Sequence, residues 1–176
     1  MTHSIRRATA TDAASLAELA AETFPLACPP HTTPEAIADF IATHFTEARF
    51  DEYLSDTDRE LFVAVSDDAL LLGYSMIVRG EPSDPDVAAA VTLRPTVELS
   101  KFYVRRAAHG AGVAGELMRA TLDAAAVGAS GTWLGVNEEN AHALRFYAKH
   151  GFEKVGRKRF LVGARYEDDF VLERSF

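Results

Sequence analysis

A chain of 176 residues with 48% hydrophobic and 25% charged content has an ordinary globular composition, and it is long enough to bury about two-thirds of its unfolded surface. Twenty-six acidic residues against 18 basic ones leave a net charge of −8, which opposes nonspecific binding to nucleic acid or an anionic membrane and favours a cationic small substrate or plain solubility. The single cysteine, Cys28, excludes an intrachain disulfide and a multi-cysteine metal cluster; with no apolar run of signal-peptide length in residues 1–23 and none near the roughly 20 residues that span a bilayer, a cytoplasmic protein is expected.

Residues 5–8 predict a first strand, and Thr11 or Asp12 predicts a helix cap ahead of Leu16, Leu19 and Ala20 at helical spacing. Pro25, Pro29, Pro30 and Pro34 mark a loop, after which Ile37, Phe40, Ile41 and Phe45 form an amphipathic stripe entering an acidic stretch at 51–58. Residues 61–65 and 70–78 are apolar runs joined by Ser66-Asp67-Asp68, the chemistry of a hairpin turn. The stretch 81–95 carries three prolines and reads as a loop. A fourth strand at 97–104, a helix at about 112–126 and a fifth strand at 132–136 make a βαβ unit. A helix at 140–150 stops at Gly151, and 152–155, 159–162 and 170–173 are expected to close the sheet as strands. No repeat or interdomain linker interrupts the chain, so residues 1–176 are expected to form one domain.

Between the fourth strand and its helix runs Arg105-Arg106-Ala107-Ala108-His109-Gly110-Ala111-Gly112-Val113-Ala114-Gly115. Its glycines let backbone amides converge on an anion, and the unpaired amides at the start of the following helix suit a pyrophosphate. A P-loop would need Lys-Ser or Lys-Thr after the last glycine, whereas Glu116 and Leu117 follow Gly115. A dinucleotide fingerprint is met literally by Gly110, Gly112 and Gly115 with Glu138 beyond the next strand, but the strand ends near Val104, several residues early. The third reading is a glycine turn that only lets helix and strand pack closely.

The run His109-Gly110-Ala111-Gly112-Val113-Ala114 resembles the pyrophosphate signature of the GNAT superfamily of N-acetyltransferases: Gln or Arg, two residues, Gly, one residue, then Gly or Ala. His109 replaces the usual first residue, which puts one side-chain contact in doubt more than the backbone binding mode. Further on, Asn140-Ala141-His142-Ala143-Leu144-Arg145-Phe146-Tyr147 and then Gly151-Phe152 are similar to the second GNAT signature, with every fixed position of Asn-x-x-Ala-x-x-Phe-Tyr-x-x-x-Gly-Phe present. Ile5-Arg6-Arg7-Ala8-Thr9, Asp12 and Leu72-Gly73-Tyr74 extend the likeness. Glu22-Thr23-Phe24, residues 98–104 and 133–140 resemble the PaiA-type spermine and spermidine acetyltransferases.

The resemblance implies an α/β (α+β) fold with a mixed, mostly antiparallel sheet of about seven strands flanked by helices, strands four and five being parallel and splayed. It implies direct transfer of the acetyl group of acetyl-CoA to a primary amine, a polyamine such as spermidine or spermine among the acceptors; a homodimer is compatible with it. No acyl-enzyme is expected, since the sole cysteine lies far from both signatures and no Ser-His pair sits in a nucleophile motif, and no metal is expected. Phe102, Tyr103 and Val104 would meet the pantetheine arm, the last two through their backbone. His109, Gly110, Ala111, Gly112, Val113 and Ala114 would hold the pyrophosphate, with Asn140, Phe146 and Tyr147 completing the cofactor site.

Tyr147 is the candidate acid for the departing thiolate, its alternative being a core stripe with Ala143 and Phe146. Glu98 is the candidate base for the amine, acting through water, its alternative being a rim carboxylate that attracts a cation. The two-residue strand period puts Glu98 on one face with Ser100 and Phe102, opposite Val97 and Leu99. Asn140 contacts the cofactor or serves only as a helix N-cap, and Arg105 and Arg106 meet CoA phosphates or are solvated. The six histidines, His3, His31, His44, His109, His142 and His150, show no metal-ligand spacing, and Cys28, distant in sequence from both signatures, is either incidental or at a substrate entrance. A noncatalytic acetyl-CoA-binding or protein-interaction domain on the same fold, and a nicotinamide-dinucleotide-binding protein, are the rival readings.

Overall fold

The computed structural model describes residues 2–176. The apolar alternating runs become strands β1 (His3–Arg7), β2 (Arg59–Ser66), β3 (Leu71–Arg79), β4 (Thr96–Val104), β5 (Gly131–Asn137), β6 (Glu153–Val162) and β7 (Arg165–Ser175). They make one sheet in the order β1-β2-β3-β4-β5-β7-β6, antiparallel at every pairing except β4 with β5. The strands expected at 152–155 and 159–162 are one strand, β6, which runs on through Gly156 because a register shift against β7 there keeps the ladder paired.

Helices α1 (Ala13–Ala27), α2 (Pro34–His44) and α3 (Glu47–Ser55) cover one face, where Leu16, Leu19, Phe24, Phe45 and Phe50 pack on Val63, Tyr74 and Met76. Helices α5 (Val113–Ala125) and α6 (Ala141–Lys149) cover the other, burying Leu117, Met118 and Leu122 against strand residues that include Leu99, Leu134 and Leu172. Three expectations change. The chain stays helical through Pro25 instead of breaking there. The stretch 81–95 contains a short helix, α4 (Pro85–Ala90), because the Asp84 carboxylate accepts from the amides of Asp86 and Val87 at 2.8 and 3.4 Å. Asp12 does not cap α1; its carboxylate accepts from Arg6 at 2.8 and 2.9 Å and from the Thr9 amide at 2.8 Å.

Two irregularities of β4 shape everything around the site. Met76 stands opposite Lys101 and Ile77 opposite Leu99, so Ser100 is one residue too many, a β-bulge that reverses the in-out alternation. Glu98 therefore shares its face with Lys101 and Tyr103, toward α1–α3, while Leu99, Phe102 and Val104 face α5 and α6. This corrects the grouping of Glu98 with Ser100 and Phe102 that an unbroken period predicts. The parallel pairing of β4 with β5 lasts three residues, Thr96 with Gly131, Val97 with Thr132 and Glu98 with Trp133, after which the strands diverge.

Helix α5 is pinned to β3 by a fully buried contact. The Thr121 hydroxyl donates to the Leu117 carbonyl at 2.7 Å, so the Ser75 hydroxyl, 2.6 Å away, must donate to Thr121 Oγ1. Thr121→Val strands the Ser75 hydroxyl in an apolar core and is expected to lower stability by roughly 1–3 kcal/mol, with Ser75→Ala in the same chain recovering much of the loss. Urea unfolding of the two single variants and the double variant measures it; strictly additive losses would mean that the two hydroxyls do not interact.

Candidate active site

Beyond the Glu98–Trp133 pair the backbone edges of β4 and β5 no longer satisfy one another, and two cavities open into the gap. One, of about 480 Å³, runs past the α5 N-terminus and is lined by Arg106, His109, Gly110 and Ala114. The other, of about 580 Å³, lies under α1 and α2 and is lined by Cys28, Glu98, Lys101, Lys158 and Asp169. They share Ala27, Phe102, Tyr103, Asn140, Ala143 and Tyr147 as a common wall.

In the first cavity Gly110 and Gly112 hold φ at +82° and +83°, the left-handed region where a side chain is strained, so the loop's path depends on them. The first hydrogen bond of α5 runs from the Glu116 amide to the Gly112 carbonyl, which leaves the preceding amides of Val113, Ala114 and Gly115 without intrahelical partners at the positive end of a 13-residue helix. The Val113 side chain is buried in the core, and Ala111 and Gly112 do not line the cavity, so their contribution is confined to the backbone. His109 donates from Nε2 to the Val104 carbonyl at 3.0 Å and stacks on His142 at 5.7 Å, which fixes its ring as part of the wall. The paired arginines part company: Arg105 is engaged by the Leu71 carbonyl at 2.6 Å and by Glu22, whereas Arg106 lines the cavity.

Asn140 caps α6 by accepting from the Ala143 amide at 3.1 Å, and the residue also lines both cavities. Phe102 stacks on Phe146 at 5.4 Å, and Tyr147 packs edge-on against Phe102 and Phe152 at 6.5 and 5.7 Å. Burial alone pushes the Tyr147 phenol well up, with no hydrogen bond opposing it. The Tyr103 phenol is raised as well, chiefly by burial and then by Tyr147, Cys28 and Asp169. Tyr147 is thus both a core residue and a polar group at the junction of the cavities.

The second cavity gathers groups that are scattered in sequence. Burial raises the Glu98 carboxyl above the usual range, opposed by Lys158, Lys101 and Arg59. Lys101 lies over the rings of Phe45 and Tyr53 at 5.0 and 5.3 Å, and burial brings its ammonium down to about 8. Asp169 is pushed up to about 6, chiefly by burial, and Cys28 to about 11 for the same reason, so the thiol stays protonated. Cys28, distant in sequence from both signatures, is in fact a wall of this cavity. His31, Glu139 and Glu167 also come together, a proximity that spacing could not show: Nε2 faces Glu167 at 2.7 Å and Nδ1 faces Glu139 at 3.6 Å. One carboxylate on each side of the ring makes an imidazole clamp that ties the α1–α2 loop to β7.

Lys101, Lys158 and Asp169 escaped the sequence reading. Lys101 is a neighbour of Glu98 only because of the bulge. Asp169 did leave a signal, since Glu167, Asp169 and Glu173 fall on alternate positions that a strand turns inward, and all three are buried.

The same architecture and sequence recur in known proteins. Residues 14–152 match the acetyltransferase (GNAT) family. The chain is 46% identical over 166 residues to an uncharacterised N-acetyltransferase of Mycobacterium tuberculosis strain H37Rv, covering 94% of this chain and 98% of that one. Among solved structures, the PaiA N-acetyltransferase of Thermoplasma acidophilum in complex with coenzyme A superposes with a TM-score of 0.78 at 19% identity, over 100% of both chains. A spermidine N-acetyltransferase chimera of Vibrio cholerae SpeG and hSSAT superposes at 0.68 with 17% identity, over 99% of this chain and 96% of that one. Family match, close relatives and fold agree: the chain belongs to the GNAT family and is an acetyl-CoA-dependent N-acetyltransferase.

Proposed function

We propose that residues 1–176 act as a single domain in which the first cavity takes acetyl-CoA and the second a primary amine, with polyamines such as spermidine or spermine foremost among the acceptors. The observation that carries the reading is the meeting of the two cavities at Tyr147, where β4 and β5 part: one side offers unpaired helix amides for an anion, the other an unpaired carboxylate for an amine. The residues fit the cofactor. Gly110 to Ala114 cradle the pyrophosphate through backbone amides, Arg106 lines the same cavity, and Asn140 and the open edge of β4 meet the pantetheine arm. Bound there, acetyl-CoA supplies an activated acetyl thioester. The polyamine preference rests on the likeness of residues 98–104 and 133–140 to PaiA-type enzymes and on the net charge of −8.

An alkylamine with a pKa near 10.4 is neutral in only on the order of one molecule in a thousand at neutral pH, so a proton acceptor in the amine cavity matters. Glu98 is that acceptor: half-buried and raised above the ordinary carboxylate range, it is a stronger base than a surface glutamate. Tyr147 serves the departing sulfur. Because burial raises its phenol, it stays protonated across the working range and acts as a hydrogen-bond donor, its proton moving only as negative charge collects on sulfur. Cys28, held as a thiol by burial, takes no acyl group.

Thiol release from acetyl-CoA with a panel of amines, read together with the mass of the products, tests the proposal; no acetylated amine across the panel would overturn it. Tyr147→Phe is expected to lower kcat by about tenfold or more while the KM for acetyl-CoA moves by less than about twofold, and a reverse split would make Tyr147 a binding residue. Glu98→Gln is expected to cut kcat/KM near neutrality by about a hundredfold. In the parent protein activity rises with pH as Glu98 ionises; in the variant it rises only as the free amine deprotonates, so the optimum moves upward. Superimposable pH profiles would reduce Glu98 to a rim charge.

A further inference from the structure

The inward face of β7 carries three buried carboxylates, and two have evident structural work. Glu173 accepts from the amides of Thr92 and Leu93 at 2.9 and 3.0 Å and from the Thr92 hydroxyl at 2.9 Å, fixing the segment that leads into β4. Glu167 accepts from His31 at 2.7 Å and lies 3.5 Å from Arg165. Asp169 lies between them, 6% exposed, and makes no hydrogen bond or ion pair among the described residues. Its carboxylate lines the amine cavity.

Leaving an ionised carboxylate buried and unpaired is costly, and the usual remedies are present here only in part. Lys158 faces Asp169 in register across β6 and β7 and its charge acts on the carboxyl, but the two make no ion pair among the described residues. The missing side chain of Gly135 makes room for this lysine, since a Cβ there would collide with Lys158 Cε and sit 3.3 Å from its Nζ and 3.4 Å from Asp169 Oδ2. Lys158 also lies over the Phe160 ring at 5.3 Å. Asn137, opposite Asp169 on β5, accepts from the Glu139 amide at 2.9 Å through its side-chain oxygen. The other charges that reach Asp169, from Glu167, Asp168 and Glu138, are negative. A carboxylate so placed lines the cavity with room for a cationic partner.

We propose that Asp169 binds a second positive charge on the acceptor, remote from the amine that is acetylated, and so selects amines that carry a further cationic group. This rests on the acetyltransferase reading and adds a residue that sets specificity. Lys158 then acts as a stand-in counter-ion that the acceptor's ammonium displaces.

The test uses the full chain, acetyl-CoA, a series of α,ω-diamines of graded length and the matching n-alkylamines. The parent protein is expected to prefer the best diamine in kcat/KM, and Asp169→Asn to reduce the diamine-to-monoamine ratio by about tenfold, mostly through KM. Lys158→Met is expected to move the ratio the other way, because it removes the competing cation. As a readout independent of turnover, that diamine should raise the melting temperature of the parent more than its monoamine does, and Asp169→Asn should erase the difference. If instead both variants lower the rates with the two amine classes in equal proportion, Asp169 and Lys158 are a structural pair and the assignment is wrong. Turnover of neither class by the parent protein would remove the underlying amine-acceptor reading, and the proposal with it.

Discussion

Everything at the site depends on one failure of pairing: β4 and β5 run parallel for three residues and then part. A parallel ladder left open exposes backbone donors and acceptors that must find other partners, and a sheet interior offers none unless a ligand comes in. The strands can afford to diverge because each is anchored on its far side, β4 by β3 and β5 by β7. Helix α5, which crosses from one strand to the other, brings its unpaired amides to the mouth of the gap, and the buried Ser75–Thr121 contact ties the later turns of that helix to β3. The glycine loop's cavity, the open strand edges and the second cavity are consequences of one wedge.

The bulge at Ser100 determines what the wedge contains. Without the extra residue, the side chains of Lys101 and Phe102 would exchange faces, placing an ammonium against the α5–α6 core and taking the Phe102 ring off Phe146. With it, Phe102 stacks beneath Phe146, and Glu98, Lys101 and Tyr103 point into the same space. Such a concentration of buried charge lowers stability. Asp169 binds its proton more tightly in the folded chain than unfolded, so it contributes nothing unfavourable below about pH 4, and stability declines as pH rises from there through about 6. The Asp12–Arg6 pair has the opposite sign, its benefit present at neutral pH and lost as acid protonates Asp12. The fold is thus supported by charge pairs at its first turn and weakened by unpaired charge at its site.

Elements built from local signals were legible in the sequence: the β2–β3 hairpin at Ser66-Asp67-Asp68, the glycine loop, and α6 with its Asn140 cap and Gly151 stop. Positions set by tertiary contact were not. Pro25 sits inside the last turn of α1 because the packing of Leu16, Leu19 and Phe24 outweighs both the lost hydrogen bond and the clash of the proline ring with the carbonyl four residues back. The second cavity joins α1, α2, β4, β5, β6 and β7, so no window of sequence contains it. Glu98 was visible, but its true companions depend on a bulge that has no residue signature here, Ser100 being neither glycine nor proline. Asp169 was hidden in plain view within Glu167-Asp168-Asp169, where an acidic run reads as a solvated face until strand alternation turns its odd members inward.

The arrangement of charge around Glu98 also bears on the chemistry required of the amine. Lys158, Lys101 and Arg59 all act on this carboxylate, Arg59 while bonded to Asp56 at 3.0 Å, so an alkylammonium arriving beside Glu98 would meet positive as well as negative charge. Such surroundings favour the neutral amine over its conjugate acid, and each unit by which they lower its pKa raises the nucleophilic fraction about tenfold. The same cations would repel a polycationic substrate if nothing balanced them. The carboxylate that balances them stands on β7, away from the reacting amine, so attraction for the rest of the molecule and deprotonation of its reactive end can be exerted by different residues at once. A cavity with Glu98 alone would have to choose between holding its substrate as a cation and releasing it as a nucleophile.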